Sequence, residues 1–221
     1  MSAISKSERF EDTVKPLDAL LAAYCAGALD RPTHALVASH LLLNPTNRFF
    51  VAALEDLTAG EVARVEPKPL RNRDARLSAV FASASPLAGS APSSVLPAPL
   101  LRLIGSDLSD LKWRTKIPGV REYRISESER GEASMLWVGA GRRIPSHTHD
   151  GSEITLVLKG AFADVTGRYG RGDIAIAEAD LDHRPMTDEN EDCICFAVTD
   201  APLRLTGPVG RILDQIFGRP H

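Results

Sequence analysis

Apolar residues recur with two different periods along this chain of 221 residues. Between residues 16 and 60 they recur every three or four positions, as Leu17, Leu20, Leu21 and Tyr24 do. This spacing places them on one face of an α-helix. After residue 100 they recur at every second position, which is the period of a β-strand. The change of period predicts an α+β chain with two domains, a small N-terminal helical bundle and an all-β C-terminal domain.

Four helices are predicted. The first ends at Gly27, a residue suited to a helix C-cap. The second begins with Thr33 as its N-cap, continues to Leu43 and stops at Asn44-Pro45. Residues 47–57 and 70–81 predict the third and fourth. So few short helices bury little surface, and we therefore expect them to pack on the other domain or on a second chain, as in a homodimer.

The strand-rich part is separated from the helices by a segment of different composition. Residues 82–99 contain small residues and proline without charge, which is typical of a linker. We expect a helical domain over residues 1–81, a linker over 82–99 and the strand-rich domain over 100–221. The predicted strands cover residues 122–125, 133–138, 154–158, 161–165, 173–177 and 193–198. Short strands with no helices between them are typical of a sandwich or a jelly-roll barrel.

Composition and charge exclude some classes of function. The net charge of -3 and pI near 6.1 show no basic excess, which disfavours direct nucleic-acid binding. No apolar run reaches the ~20 residues of a membrane span. Three cysteines and no apolar leader indicate reduced thiols and a cytoplasmic protein. Cys193 and Cys195 lie among apolar residues, so we interpret them as small buried side chains and not as metal ligands.

Polar residues with the spacing of a metal site lie inside the predicted β domain. His147 and His149 are two residues apart and share one face of a strand. Glu153 opens the next strand, and His183 follows another strand and its loop. We predict that these four residues bind one divalent metal ion. Imidazole and carboxylate ligands suit zinc, iron, manganese, nickel or copper.

The segment from Gly141 to Gly160 resembles the first motif of the cupin superfamily, G-x5-H-x-H-x3-E-x6-G, at every position. The second cupin motif is matched in part. Gly172-Asp173 and His183 stand at the expected spacing, whereas Glu178 and Asp180 replace the usual Pro and Gly. The resemblance implies that the β domain is a cupin (jelly-roll) barrel.

A wider resemblance covers nearly the whole chain. The segments LSDLKWRTKIPGVREYRI, SHTHDGSEITLVLKGAFADVTGRYGRGDIAIAEADLDH and DCICFAVTDAPLRL are similar to the ChrR family of transcriptional regulators, which act as anti-sigma factors. ALLAAYCAGAL and ALVASHLLLNPTNR resemble the helical domain of that family. The resemblance implies a helical domain that binds an extracytoplasmic-function (ECF) sigma factor. It also implies a cupin domain that responds to oxidative stress, with zinc as the preferred metal.

The resemblance also implies a second zinc site in the helical domain, which this chain departs from. The four corresponding positions hold Lys15, His40, Asn44 and Asn47, so only the histidine remains. Asparagine and a protonated lysine are poor zinc ligands. We therefore predict a helical domain without zinc, in which His40 packs at the edge of the bundle.

Two classes of function follow from these observations. The first is a regulator that binds a sigma factor through an apolar groove on residues 16–60. The alternative is a cupin metalloenzyme, such as a dioxygenase or isomerase, in which the helices are only structural. Six residues predicted to face the barrel interior are apolar, which favours sensing over catalysis and predicts no catalytic residue: Trp137, Leu156, Leu158, Phe162, Ile176 and Phe196.

Overall fold

The structure, a computed structural model, describes residues 15–83, 95–128, 131–149, 151–179, 181–201 and 203–205. Its helices precede its strands, as predicted for an α+β chain. The helices are α1 (Pro16–Cys25), α2 (Arg31–Leu43), α3 (Thr46–Val62), α4 (Arg73–Ala82) and α5 (Ala98–Ile104), and a 3₁₀ turn follows at Leu108–Asp110. The strands are β1 (Arg114–Ile117), β2 (Val120–Ser128), β3 (Gly131–Val138), β4 (His147–His149), β5 (Glu153–Lys159), β6 (Ala161–Asp164), β7 (Gly167–Gly170), β8 (Ile174–Ala177), β9 (Met186–Thr187), β10 (Cys193–Thr199) and β11 (Leu203–Leu205).

Short-range hydrogen bonds fix the C-terminal end of α1. Gly27 adopts a φ of 66° and its N–H donates to the carbonyl of Tyr24, while the N–H of Ala28 donates to that of Ala23. This pair of bonds is a Schellman motif, in which Gly27 directly follows the C-cap residue Ala26. The prediction that Gly27 ends the helix is confirmed.

The N-cap predicted for α2 is wrong. The N-cap is Asp30, whose side chain accepts a hydrogen bond from the N–H of Thr33. Thr33 therefore lies inside the first turn of α2. An aspartate three positions before the bonded N–H satisfies one of the free donors at a helix start. Pro32 in the first turn has no N–H and so needs no acceptor.

Strands β1 to β11 form the wall of a barrel. A six-stranded sheet has the order β1-β2-β3-β10-β5-β8, a three-stranded sheet has the order β7-β6-β9, and β11 pairs with β4. The non-sequential neighbours β3, β10 and β5 are antiparallel. This topology pairs β5 with β8 at the edge of the large sheet and leaves β4 in a separate pair with β11.

Both faces of the six-stranded sheet are buried. On one face, Val157, Cys193 and Cys195 pack against Phe162 of β6, inside the barrel. On the other face, Leu156 and Phe196 join a second cluster that also contains apolar residues of α1, α2 and α5. The helices therefore cover the outer face of the barrel, and helices and sheet share one core.

The prediction of the inward-facing residues is wrong for five of the six. Because side chains alternate along a strand, Leu156 and Leu158 lie opposite to Glu153, Thr155 and Val157. Leu156, Leu158 and Phe196 are buried against the helices, and Trp137 and Ile176 pack against the same cluster. Only Phe162 belongs to the interior cluster. An apolar strand position facing helices cannot be told by sequence from one facing the barrel interior.

Helix α4 and most of α3 are exposed. No residue of α4 is buried, and Val51 is the buried residue of α3. By contrast, Leu96, just before α5, and Leu100, within α5, are buried in the shared core. Among the described residues no helix combines the length and hydropathy that a bilayer-crossing segment requires.

Candidate metal centre

Three of the four predicted metal ligands meet inside the barrel. One ligand atom of each of His147, Glu153 and His183 lies within 4.8 Å of those of the other two. The two histidines are buried, with 3% and 5% of their surface exposed. Two imidazoles and a carboxylate at this separation are a donor set that fits a divalent metal ion.

Backbone pairing brings the two histidines together. The N–H of His147 donates to the carbonyl of His183 at 3.2 Å, and the reciprocal bond is 3.1 Å. Their ring centroids are 4.3 Å apart. His147 is the first residue of β4, whereas His183 lies in a loop. The isolated bridge between them therefore fixes the position of His183, which the spacing of the sequence motif does not fix.

A hydrogen bond on Nδ1 fixes the orientation of each ring. Nδ1 of His147 lies 2.9 Å from the carbonyl oxygen of Pro145, and Nδ1 of His183 lies 3.0 Å from Oδ2 of Asp164. Since a carbonyl or carboxylate oxygen accepts, Nδ1 is the donor in each ring. In this tautomer Nε2 carries the lone pair that a metal binds.

Asp164 is a buried carboxylate at the end of β6, and sequence analysis missed it. It accepts hydrogen bonds from both the N–H and the hydroxyl of Thr166. Burial raises the pKa of Asp164, but the hydrogen bonds from Thr166 and His183 outweigh burial and hold the pKa below its ordinary value. An ionised carboxylate behind a ligating histidine increases the basicity of the ring.

Glu153 is positioned by the turn that precedes β5. The side chain of Asp200 accepts hydrogen bonds from the N–H and the hydroxyl of Ser152. A Cβ at Gly151 would lie 1.9 Å from Oδ1 of Asp200, so a larger residue there would displace the Asp200 side chain. The hydroxyl of Thr155 donates to Oε1 of Glu153 at 3.1 Å. The Gly-Ser-Glu part of the motif thus closes a turn onto Asp200.

His149 is the last residue of β4, and its backbone pairs with Leu203 of β11. Its side chain lies outside the described part of the structure. His149 therefore stays a predicted ligand. Glu178, which replaces the usual Pro of the second cupin motif, directly follows β8. Its carbonyl accepts a hydrogen bond from the N–H of Leu181, in the loop that leads to His183.

The donors at the second zinc position do not fit a metal. Both ring nitrogens of His40 are engaged: Nδ1 with the carbonyl of Gly172 at 2.6 Å and Nε2 with the side-chain nitrogen of Asn47 at 2.8 Å. Oδ1 of Asn44 accepts from the N–H of Thr46. His40 is 1% exposed and lies between the helices and the barrel. The prediction that it packs at the edge of the bundle is wrong.

The cysteine pair is buried in the barrel interior, as expected. The sulfur atoms of Cys193 and Cys195 are 3.5 Å apart, and the exposed fractions are 1% and 5%. The hydrogen bond with Cys193 and burial raise the pKa of Cys195 well above its ordinary value, so this residue stays a neutral thiol.

Asp164 and Asp200 carry no signal in the linear sequence. Each lies far along the chain from the residue that it positions, at the end of a strand where an aspartate is also typical of a turn. The DVTG segment after β6 is an ordinary turn sequence. Only strand pairing places Asp164 behind His183.

The fold and the site define a protein of the cupin class with helices packed on the outside of the barrel. A family model described as the ChrR cupin-like domain matches residues 102–202. The anti-sigma-E factor ChrR of Cereibacter sphaeroides is 38% identical over an alignment of 205 residues, and the match covers 90% of this chain and 95% of that protein. The chain therefore belongs to the ChrR family.

The solved structures give the same result. The crystal structure of Rhodobacter sphaeroides SigE in complex with the anti-sigma ChrR contains a chain that is 38% identical to this one. The match covers 83% of this chain and 96% of that chain, with a TM-score of 0.68. It therefore extends over helices and barrel together.

Proposed function

We propose that this protein is an anti-sigma regulator that binds an ECF sigma factor through α3 and α4, and that a metal in the barrel takes part in ending that binding. The observation that carries the proposal is the likeness to a chain crystallised with SigE, at a TM-score of 0.68 over 83% of this protein. A sigma-factor partner would place the protein in the cytoplasm.

The surface of α3, α4 and their connection has the character of a docking face. Phe49 and Phe81 are 81% and 80% exposed. In α4, Leu77, Val80 and Phe81 lie three and four positions apart and so share one side of the helix. Apolar residues in such number on a surface are typical of an interaction site. The exposed set is Leu42, Phe49, Phe50, Leu57, Val62, Val65, Leu70, Leu77, Val80 and Phe81, and we call it the apolar surface.

The groove predicted over residues 16–60 overlaps this surface only in its last part, from Leu42 to Leu57. The apolar faces of α1 and α2 cover the sheet, with Leu21, Leu36 and Val37 fully buried. The α1 and α2 part of residues 16–60 is therefore not available to a partner, whereas Phe49, Phe50 and Leu57 of α3 belong to the apolar surface. A second chain is not needed to cover these two helices either, and the expected homodimer would have to use other surfaces.

We further propose that His147, His149, Glu153 and His183 bind one zinc ion. The separation of His147, Glu153 and His183 and the anchored Nδ1 atoms support the proposal. A bound zinc ion would supply a positively charged Lewis-acidic centre. Iron, manganese or nickel would suit the same ligands.

The sigma-binding proposal is tested by capture of a purified ECF sigma factor on the immobilised full-length protein. Leu57→Asp and Phe81→Asp place a charge in the apolar surface, and we expect each to weaken capture at least about tenfold. Val165→Asp is the matched control, because Val165 is 74% exposed and lies in the β6–β7 hairpin. Equal loss of capture in all three variants, or in none, would contradict this assignment of the surface.

A metal-dependent dioxygenase or isomerase is the second candidate, and one observation favours it. The barrel interior is less apolar than the sequence predicted, because Thr155 and Ser134 are buried on the same face as Cys195. Polar groups beside a metal could orient a substrate. Elemental analysis of the purified protein separates the two candidates. Zinc with sigma capture supports the regulator, whereas iron or manganese without capture supports the enzyme.

A further inference from the structure

His40 connects three structural elements. The ring belongs to α2 and is 1% exposed. Its Nδ1 donates to the carbonyl of Gly172, in the turn between β7 and β8. Its Nε2 accepts from the side-chain nitrogen of Asn47, in the first turn of α3. Because a carbonyl only accepts and an amide nitrogen only donates, this ring is neutral with its hydrogen on Nδ1.

The turn that receives His40 is in direct contact with α2. Gly172 has a φ of 92°, and a Cβ there would lie 3.0 Å from Cβ of Leu43. A side chain at position 172 would therefore be strained by both backbone and contact. The turn and the end of α2 fit together only with glycine.

The same turn is joined to both strands that lead to the metal centre. The N–H of Gly172 donates to the carbonyl of Val157 at 2.8 Å, and the N–H of Val157 donates to that of Asp173 at 3.1 Å. Val157 is in β5, the strand that Glu153 opens. On the other side, β7 pairs with β6, whose last residue Asp164 binds His183.

We propose that His40 is a positioning residue that couples the cupin domain to α3, in place of the zinc site that the family resemblance implies. A displacement of the β7–β8 turn, when the metal centre changes, is transmitted through the His40 ring to Asn47 and so to the first turn of α3. What α3 then releases rests on the proposed sigma binding, but the coupling itself does not.

The energetic reason is that this ring has no solvent to replace a lost partner. A buried imidazole that loses one hydrogen bond keeps an unsatisfied polar atom, and the surrounding structure must move to relieve it. A movement of Gly172 or of Asn47 therefore requires the His40 ring and its other partner to move as well.

Hydrogen exchange of backbone amides on the full-length protein, without any sigma factor, tests the coupling. We expect Asn47→Ala to speed exchange in α3 and also at Gly172 and Asp173, by about three- to tenfold, as loss of one hydrogen bond would do. Asn44→Ala is the matched control. Its side chain bonds the N–H of Thr46, so residues 170–174 should exchange as in the wild type.

The effect must also depend on His40. In a His40→Gln background, Asn47→Ala should no longer change exchange at Gly172 and Asp173. If Asn47→Ala affects only α3, or if its effect on the turn persists without His40, the proposal is wrong. Should His40→Gln fail to fold, Asn47→Ala against Asn44→Ala decides the question alone. A protein that fails to bind sigma but shows the expected exchange pattern would disprove the proposed function and leave the coupling intact.

Discussion

At the scale of single residues, the orientation of each imidazole in the candidate metal centre depends on the acceptor behind it. Pro145 supplies a carbonyl to His147 and Asp164 supplies a carboxylate to His183. The backbone carbonyl cannot be removed by substitution, but the carboxylate can. The two histidines therefore differ in how they can be tested.

We expect His183→Ala to remove bound zinc, from about one ion per chain to near zero, and Asp164→Asn to weaken zinc affinity by about 10–100-fold. The physical reason is loss of a ligand in the first case and of a fixed, more basic ring in the second. Elemental analysis and titration against a chelating dye measure the two effects.

His34→Ala is the control for these variants. His34 is exposed and its ring stacks on Tyr24 at 4.7 Å, far from the ligands in the fold. Zinc binding by His183→Ala at the wild-type level would show that the centre lies elsewhere.

His40 makes the stability of the fold depend on pH. Burial lowers the pKa of His40, and the hydrogen bond to Gly172 and the charge of Asp173 offset this only in part. The unfolded chain therefore binds a proton at higher pH than the folded chain does. Stability is fully present above the ordinary histidine pKa of about 6.5 and falls as the pH drops below it.

We predict that the free energy of unfolding, measured in denaturant between neutral and mildly acidic pH, falls more steeply with decreasing pH in the wild type than in His40→Gln. The difference between the two proteins isolates His40 from the other histidines. Parallel profiles would show that His40 does not bind its proton differently in the two states.

At the scale of elements, α2 is the best anchored of the helices. Its N-cap Asp30 bonds the N–H of Thr33 at 2.8 Å, its C-terminal turn holds His40, and six of its residues are buried. By comparison, α4 has no side-chain cap and no buried residue. This contrast is expected when one helix belongs to the core and the other presents a surface to a partner.

Asp30→Ala should lower the free energy of unfolding by about 1 kcal/mol, because one N–H at the start of α2 loses its acceptor. Denaturant titration measures the change. Asp56→Ala, at an exposed position within α3, should change stability by less than about 0.5 kcal/mol. Equal effects of the two substitutions would mean that the cap does not contribute.

At the scale of the whole molecule, the helices and the barrel share one hydrophobic core. Leu21 of α1 and Leu36 of α2 are fully buried in the cluster that contains Phe196 of β10. Neither the helices nor the outer face of the sheet would have a core without the other. The protein should therefore unfold in a single transition.

Leu21→Ala should lower the free energy of unfolding by about 2–5 kcal/mol and should shift the unfolding of the barrel as well as that of the helices. Both tryptophans of the chain, Trp113 and Trp137, lie in the strand-rich part. Tryptophan fluorescence therefore reports on the barrel, and far-ultraviolet circular dichroism includes the helices. Separate midpoints for the two signals would contradict a shared core.

The sequence by itself determined the classes of element and most of the site. Helical and strand periods located α1 to α3, β3, β5 and β10 to within a few residues, because these patterns depend on neighbouring residues alone. The spacing of His147 and Glu153 was sufficient for the same reason, since one strand, one turn and the next strand position both residues. His149, two positions after His147, stays a predicted ligand. Short elements gave no such signal: β1 and β7 contain few apolar residues, and α5 is only seven residues long.

Only the tertiary structure decided which faces meet. Leu156 and Phe196 are apolar whether they face the barrel interior or the helices, so no local pattern could assign them. Asp164 behind His183 and Gly172 against His40 are separated along the chain by 19 and 132 residues. Contacts of this kind arise from strand pairing and helix docking, and these are set by burial summed over the whole chain and not by any segment of it.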